Sequence, residues 1–196
     1  MSLRVEPLTG PALARVLPAV ARLRMAVFRD FPYLYDGTLD YEEAYLAKFA
    51  SAAGAVIVTA SDGDDIIGCA TAAPLAEVDP EFAAPLAARG YDITRVFYCG
   101  ESVLLPPYRG RGLGHAFFDH REAQARALGG YAQSTFCAVV RPSGHPLKPA
   151  GYVPLDAFWT KRGYAKIDGL VGRFSWKDVG EPSETPKPMQ YWMKTL

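Results

Sequence analysis

Apolar residues recur at helical spacing over Pro11–Asp30, at Leu13, Val16, Leu17, Val20, Leu23 and Val27. This spacing predicts a helix that Pro18 kinks or breaks. A short strand, Ser2–Pro7, precedes it, and a second helix follows with Asp40 as its N-cap and Glu43 closing a capping box. The pattern then shortens to strand runs at Ala55–Ala60 and Asp65–Ala73 around the polar turn Ser61–Asp64. Glu81–Arg89 is a short helix ended by Gly90, and Val96–Leu105 is the next strand. A long helix, Leu113–Leu128, carries Leu113, Phe117, His120, Gln124 and Leu128 on successive turns and stops at Gly129 and Gly130. Strand Tyr131–Val140, a Pro/Gly-rich loop Arg141–Pro154 and helix Leu155–Arg162, ended by Gly163, come next. Strands Leu170–Lys177 and Met189–Lys194 close the chain on either side of a Pro-rich connection, Gly180–Pro188. With no internal repeat and no low-complexity linker, residues 1–196 are expected to form one α/β domain.

Between the fourth strand and the long helix lies Tyr108-Arg109-Gly110-Arg111-Gly112-Leu113-Gly114. Alternate glycines let a backbone approach a ligand closely and turn through positive φ. The helix behind them offers unpaired N–H groups and the positive end of its dipole, an arrangement suited to a phosphate or pyrophosphate. A P-loop is excluded because no Lys-Ser or Lys-Thr follows the glycines. The dinucleotide fingerprint is excluded because His115 stands where its third glycine belongs. The pattern that fits is [Q/R]-x-x-G-x-[G/A], read as Arg109-x-x-Gly112-x-Gly114. A glycine-rich turn with no ligand is the plainer alternative, but it needs fewer glycines than are present.

Composition narrows the classes of partner. Basic and acidic residues balance at 21 each, so the footprint of a nucleic-acid binder is absent. Arg109 and Arg111 make only a local basic spot, in keeping with a small phosphate-bearing ligand. The three cysteines are widely spaced in apolar runs, which argues against a disulfide framework or a zinc site and fits a reducing compartment. No pair of His, Cys or carboxylate residues has metal-ligand spacing, and no metal is expected. No signal-like or membrane-spanning run is present, so a cytoplasmic protein with no membrane partner is expected.

The glycine loop resembles the acyl-CoA pyrophosphate loop of the GNAT N-acetyltransferase superfamily. A second segment, Phe158 to Tyr164 (Phe-Trp-Thr-Lys-Arg-Gly-Tyr), is similar to that family's F-Y-x-K-x-G-[FY] stretch, about fifty residues further on. The resemblance extends over nearly the whole chain. It implies the acyl-CoA N-acyltransferase (GNAT) fold, a mixed and strongly twisted sheet of about seven strands with helices on both faces. It also implies acetyl-CoA as co-substrate, held in a V-shaped gap between the strand ending at Leu105 and the strand beginning at Tyr131. Val103, Leu104 and Leu105 would bind pantetheine through their backbone. Amides of Arg109, Gly110, Arg111, Gly112, Leu113 and Gly114, with His115 at the edge, would hold the pyrophosphate.

The implied reaction is direct attack of an amine on the thioester in a ternary complex. A free alkyl amine titrates at about 10, so a base or a water chain must remove its proton. Glu101 is the candidate base, on the strand lining the gap and on one face with Val103 and Leu105. A strand-edge carboxylate paired to a nearby arginine is the alternative reading of Glu101. The family's usual acid is the Tyr of its second motif, but Trp159 stands there, and an indole N–H does not deliver a proton at useful pH. Tyr152, Tyr164, Tyr98 and Cys137 are the replacements within reach, with Tyr164 also suited to packing and Cys137 to the core.

A small-molecule amine is the expected acceptor, with Tyr33, Tyr35 and Asp36 from one loop and Arg141 from another as its candidate contacts. A catalytically weak acyl-CoA-binding module is the competing function. A homodimer through the aromatic C-terminal strand around Tyr191 and Trp192 is a further expectation, which an intramolecular sheet explains equally well.

Overall fold

The computed structural model describes residues 2–196. Seven strands form one sheet in the order β1-β2-β3-β4-β5-β7-β6, where β1 is Leu3–Thr9, β2 Val56–Asp62, β3 Asp65–Pro74, β4 Val96–Leu104, β5 Gln133–Val139, β6 Ala165–Lys177 and β7 Glu184–Thr195. Among the described residues only β4 and β5 run parallel, and the helix between them makes the crossover such a pair requires. Helices α1 (Leu17–Phe28), α2 (Leu39–Ala50) and α3 (Pro80–Ala87) cover one face. Helices α4 (Leu113–Leu128) and α5 (Asp156–Lys161) cover the other.

Alternation along the central strands divides the core. Val56, Val58, Ala70, Ala72, Phe97 and Cys99 face α4, packing on Phe117, Phe118 and Ala125. Ile57, Cys69, Ala73 and Val103 face α1 and α2, packing on Val20, Leu23, Leu46 and Phe49. One irregularity interrupts this alternation. Ala70 pairs with Ser102, but Ala72 pairs with Cys99, so Gly100 and Glu101 together oppose Thr71. This β-bulge shifts the parity of β4. Tyr98 before it and Val103 after it both lie on the α1–α2–α3 face. The bulge is tied from both sides of the sheet. Thr71 Oγ1 accepts the Glu101 N–H at 3.2 Å, and Arg121 of α4 donates to the Glu101 carbonyl at 3.1 Å and the Thr71 carbonyl at 3.4 Å. Arg121 is fully buried with its guanidinium on the Phe118 ring.

Several elements differ from the sequence expectation. The first helix is two pieces, a 3-10 helix over Gly10–Arg15 and then α1, with Pro18 in the first turn where its missing N–H costs no bond. The cap of α2 is Thr38, whose Oγ1 accepts from the Tyr41 N–H at 3.4 Å, so Asp40 lies inside the first turn and closes no capping box with Glu43. The last two strands are longer than their apolar runs. In β6 the polar Lys166–Gly169 stretch hides the start, where Gln190 Nε2 donates to the Ile167 and Leu170 carbonyls across a register break. In β7 the Pro-rich segment is strand, not loop, with Pro186 opposite Ser175 and Pro188 opposite Arg173. Strand β7 is also internal: Tyr191 pairs with Cys137 and Trp192 with both Phe136 and Lys166. The intramolecular sheet thus takes up this strand at Tyr191 and Trp192.

A methyl group at position 100 would lie 2.6 Å from Thr71 Oγ1, the acceptor that holds the bulge. Gly100→Ala is expected to cost about 1–3 kcal/mol of stability, read as a lower midpoint in denaturant. An unchanged midpoint would mean the bulge tolerates a side chain and is not tightly held.

Candidate functional site

The bulge bends β4 away from β5. The two strands pair only at Val96 with Gln133, Phe97 with Ser134 and Tyr98 with Thr135, and beyond that point they diverge. The outer side of β5 stays bonded to β7 through Val139, so its inner side over 136–139 is open to the gap. On β4, Leu105 donates its N–H to the Ile67 carbonyl at 3.0 Å. By antiparallel alternation Val103 also bonds toward β3, and Ser102 and the Leu104 N–H face the gap, while the Leu104 carbonyl is met by Arg109 Nε at 3.1 Å. Of the three residues expected at pantetheine, Leu104 faces the gap, Val103 is directed toward β3, and Leu105 has its N–H on Ile67 and its carbonyl on the Tyr108 N–H at 3.0 Å. Unpaired backbone groups of this kind are expensive unless a ligand or water meets them.

The glycine loop lies at the open end of the gap. Gly110 (φ 75°) and Gly112 (φ 81°) are both left-handed, and Gly112 is the N-cap of α4. A Cβ at either would meet no protein atom within 4 Å, so the space above them is open. The N–H groups of Gly110, Gly112, Leu113 and Gly114 have no protein acceptor among the described residues. Two expected contributors drop out. The Arg109 N–H bonds the Pro106 carbonyl at 3.2 Å and the His115 N–H bonds the Gly112 carbonyl at 2.9 Å. At Gly114 a Cβ would press on the Phe158 ring at 3.3 Å. The Arg109 side chain donates to the Leu104 carbonyl at 3.1 Å, and Arg111 donates to the Pro107 carbonyl at 3.1 Å with its guanidinium 5.4 Å from the Tyr108 ring centre.

On the α1–α2 side of the fork, Glu101 is buried beside Arg24, with Nη1 2.7 Å from Glu101 Oε1. This contact is an ion pair lying off the N–H axis, so Oε1 has no aligned donor. Arg24 also donates from Nε to Oε2 of Glu42, which is fully buried on α2. The guanidinium is sandwiched between Phe28 at 5.2 Å and Tyr45 at 4.6 Å. Burial opposes its charge, but Glu101 and Glu42 more than offset this and hold Arg24 well above the usual range. Arg24, Glu42 and Tyr45 escaped the sequence reading. The available signal was a cation and an anion of two successive helices on their apolar faces, Arg24 a turn after Val20 and Glu42 a turn before Leu46.

At the apex of the fork, Tyr98 Oη lies 3.4 Å from Cys137 Sγ, joining β4 to β5. Burial keeps the Tyr98 hydroxyl well above its usual range and pushes the Cys137 thiol up to about 12. Tyr33 is raised by burial too, with the Glu101 carboxylate adding to the shift. A narrow cleft of about 30 Å³ between α2 and α3 reaches Tyr45 and Tyr98, lined also by Phe49 and Phe82. Lys48 and Asp79, paired at 2.7 Å, stand at it. A larger hollow of about 450 Å³ lies between α1 and the β2–β3 turn and shares only Leu105 with this region, so its size does not make it the reaction site.

The other expected side chains are distributed differently. Tyr164 is buried under α4, its hydroxyl 2.8 Å from Ser134 Oγ and 3.4 Å from Glu122 Oε1, which gives it a packing role. Trp159 packs on Phe136 and Trp192. Tyr152 stands edge-on to Phe31 at 4.7 Å, in the wall made by the two acceptor-side loops. Arg141 is not free to bind an acceptor. It donates to both carboxylate oxygens of Asp178 at 2.6 and 2.9 Å, to the Pro32 carbonyl at 2.7 Å and to the Tyr33 carbonyl at 2.6 Å. Asp36 is paired with Arg29 and Lys177, each at 2.9 Å, and those bonds lower it. Tyr35 lies by Glu42, and burial and that carboxylate push its hydroxyl up. His115 stacks edge-on to Phe158 at 4.9 Å.

Residues 20–147 match the acetyltransferase (GNAT) family. Among solved structures, the chain is similar to a ribosomal-protein-alanine N-acetyltransferase from Brucella melitensis, with 14% identity, TM-score 0.62 and coverage of 98% of this chain and 99% of that one. It is similar to the PaiA N-acetyltransferase from Thermoplasma acidophilum in complex with coenzyme A, with 11% identity, TM-score 0.55 and full coverage of both chains. A GNAT family acetyltransferase from Elizabethkingia anophelis with acetyl-CoA bound matches at 13% identity and TM-score 0.54, over 99% of this chain and 98% of that one. A comparison with curated proteins gave no match.

All three cysteines, Cys69, Cys99 and Cys137, are buried and unbridged. Iodoacetamide at about pH 8 should therefore leave the native protein unmodified and label all three after unfolding, since the reactive species is the thiolate. Rapid native labelling of Cys137, counted by mass spectrometry, would overturn this picture.

Proposed function

The chain belongs to the acetyltransferase (GNAT) family, and on that premise we propose that it transfers an acetyl group from acetyl-CoA to the amine of a small molecule. The observation that carries this reading is the fork. The strands part after three residue pairs, and the glycine loop with its unpaired N–H groups stands at the open end. The residues fit the donor. Amides of Gly110, Gly112, Leu113 and Gly114 would meet the pyrophosphate, and the gap-facing backbone of Leu104 and of 136–139 would meet the amides of the pantetheine arm. Acetyl-CoA supplies the activated acyl group as a thioester.

The protein's own part is to position and to move protons. Glu101, carried by the bulge onto the same face as Tyr98, is the group to accept the proton of the attacking amine, directly or through water. As the N–C bond forms and the C–S bond breaks, the departing sulfur needs a proton or a hydrogen bond. Tyr98 is the hydroxyl best placed for this, at the fork apex and held in its protonated form by burial. Tyr164 and Trp159, packed under α4, do not compete for the role. Tyr33, Tyr35 and Tyr152 form the acceptor side, while Arg141 fixes the loop that carries the first two.

Two measurements test the proposal. Acetyl-CoA at a hundred times its Kd should stabilise the protein by about 2.7 kcal/mol, where ATP and NAD do not. In Gly112→Ala this gain should shrink, because the left-handed position strains any side chain by roughly 1–2 kcal/mol. No stabilisation by acetyl-CoA sinks the reading. Glu101→Gln should lower kcat for amine acetylation by about a hundredfold with acetyl-CoA affinity unchanged. Wild-type turnover in that variant across pH would show that Glu101 is not the base. Binding of acetyl-CoA with no turnover of any amine would favour a binding module instead.

A further inference from the structure

Helix α4 carries a buried cation that has no carboxylate counter-ion among the described residues. Arg121 is 1% exposed, and its hydrogen bonds run from Nη1 to the carbonyls of Glu101 and Thr71, while Nε and Nη2 meet no acceptor. The neighbouring Glu122 carboxylate is occupied by Arg126, Arg162 and Lys194. The Glu101 carboxylate lies on the other face of the sheet, against Arg24. The guanidinium rests on the Phe118 ring, 4.4 Å from its centre, which fixes it beneath the bulge without neutralising it. A buried charge left unpaired is costly, and a neutral donor of the same reach would serve two carbonyls equally well. Support of the bulge alone therefore does not account for a cation here.

The peptide that Arg121 binds leads into the fork. In a trans peptide the C=O and N–H point in opposite directions, so the Glu101 carbonyl that accepts from Arg121 shares one planar unit with the Ser102 N–H. Ser102 is exposed and faces the gap, two residues nearer the apex than Leu104 and next to the proposed base. A cation on the carbonyl end of a peptide draws electrons toward the oxygen. The N–H at the other end becomes a stronger donor.

We propose that Arg121 is a positioning residue for acyl transfer, its uncompensated charge polarising the 101–102 peptide so that the Ser102 N–H holds the thioester carbonyl of acetyl-CoA. This deepens the acetyltransferase reading and rests on it. As the amine nitrogen bonds to the carbonyl carbon, the π pair of the C=O bond moves onto oxygen. Ser102 donates to that oxygen, and the pair returns as the C–S bond breaks and the thiolate leaves. The charge is fixed in place before the reaction begins, so no reorganisation is needed when the negative charge develops.

The test reads the carbonyl itself and needs no acceptor. Acetyl-CoA labelled isotopically at its thioester carbonyl carbon is bound to the protein, and infrared difference spectra report the C=O stretch. In the wild type the band should lie below that of acetyl-CoA in water, since a strong donor weakens the C=O bond. Arg121→Met, which removes the charge and keeps much of the bulk, should return the band toward its aqueous position. Arg121→Lys, which keeps a charge, should retain most of the shift. CoA, which lacks the carbonyl, should bind all three proteins with the same Kd in calorimetry, as an intact fork requires. An unshifted band in the wild type overturns the proposal, as does an equal shift in wild type and Arg121→Met. A variant that loses the shift together with CoA affinity also overturns it, because that is the mark of a structural role. Should Arg121→Met not fold, the wild-type band and Arg121→Lys decide by the same criteria. Failure of acetyl-CoA to bind the wild type removes the transferase reading as well, whereas binding with an unshifted carbonyl removes this inference alone.

Discussion

The central constraint in this molecule is the hydrogen-bond satisfaction of β4. Its inner edge is zipped to β3 except at one bulge, and its outer edge is zipped to β5 for only three residue pairs. Everything at the site follows from that partial pairing. The bulge sets the side-chain parity so that Tyr98 and Glu101 share a face, and it steers the strand away from β5. Holding such a defect in a sheet requires support from elsewhere, and the support is visible. Thr71 supplies a hydroxyl in the plane of the sheet, and Arg121 supplies a buried guanidinium from below. The open edge that remains is a row of amide and carbonyl groups suited to a ligand that is itself a chain of amides.

Backbone features and side-chain clusters leave different traces in a sequence. The glycine loop is a backbone feature, so its signature is conformational. Gly110 and Gly112 stand where φ is positive and where no Cβ has a protein neighbour, and their spacing survives as a readable motif. Strand β4, helix α4 and the glycine stops behind it were likewise legible from alternation and periodicity. The buried Arg24, Glu42 and Glu101 come from α1, α2 and β4, far apart in the chain, and no short motif records their cluster. Arg24 and Glu42 were recorded only as charges on apolar faces, a signal that has meaning once two helices are known to pack together.

The misreadings have equally local causes. Pro186 and Pro188 look like loop residues, yet both sit within β7, where Lys187 between them is buried with its ammonium on the carbonyls of Trp176 and Thr185. Arg141 was expected at the acceptor because it is a cation on the right loop. Its donors are instead consumed by Asp178 and two main-chain carbonyls. In each case tertiary context outweighed residue type.

The way Arg141 is used bears on how this protein can diverge. It grips the 30–36 loop through the carbonyl oxygens of Pro32 and Tyr33, groups that every residue type possesses. The loop's path is thus held through its main chain as well as through the Asp36 side chain, which pairs with Arg29 and Lys177. Substitutions along it leave these two main-chain bonds in place, so under the proposed function the side chains displayed there can vary while this anchor stays fixed. Anchoring by main chain leaves the identity of the side chains as an adjustable variable.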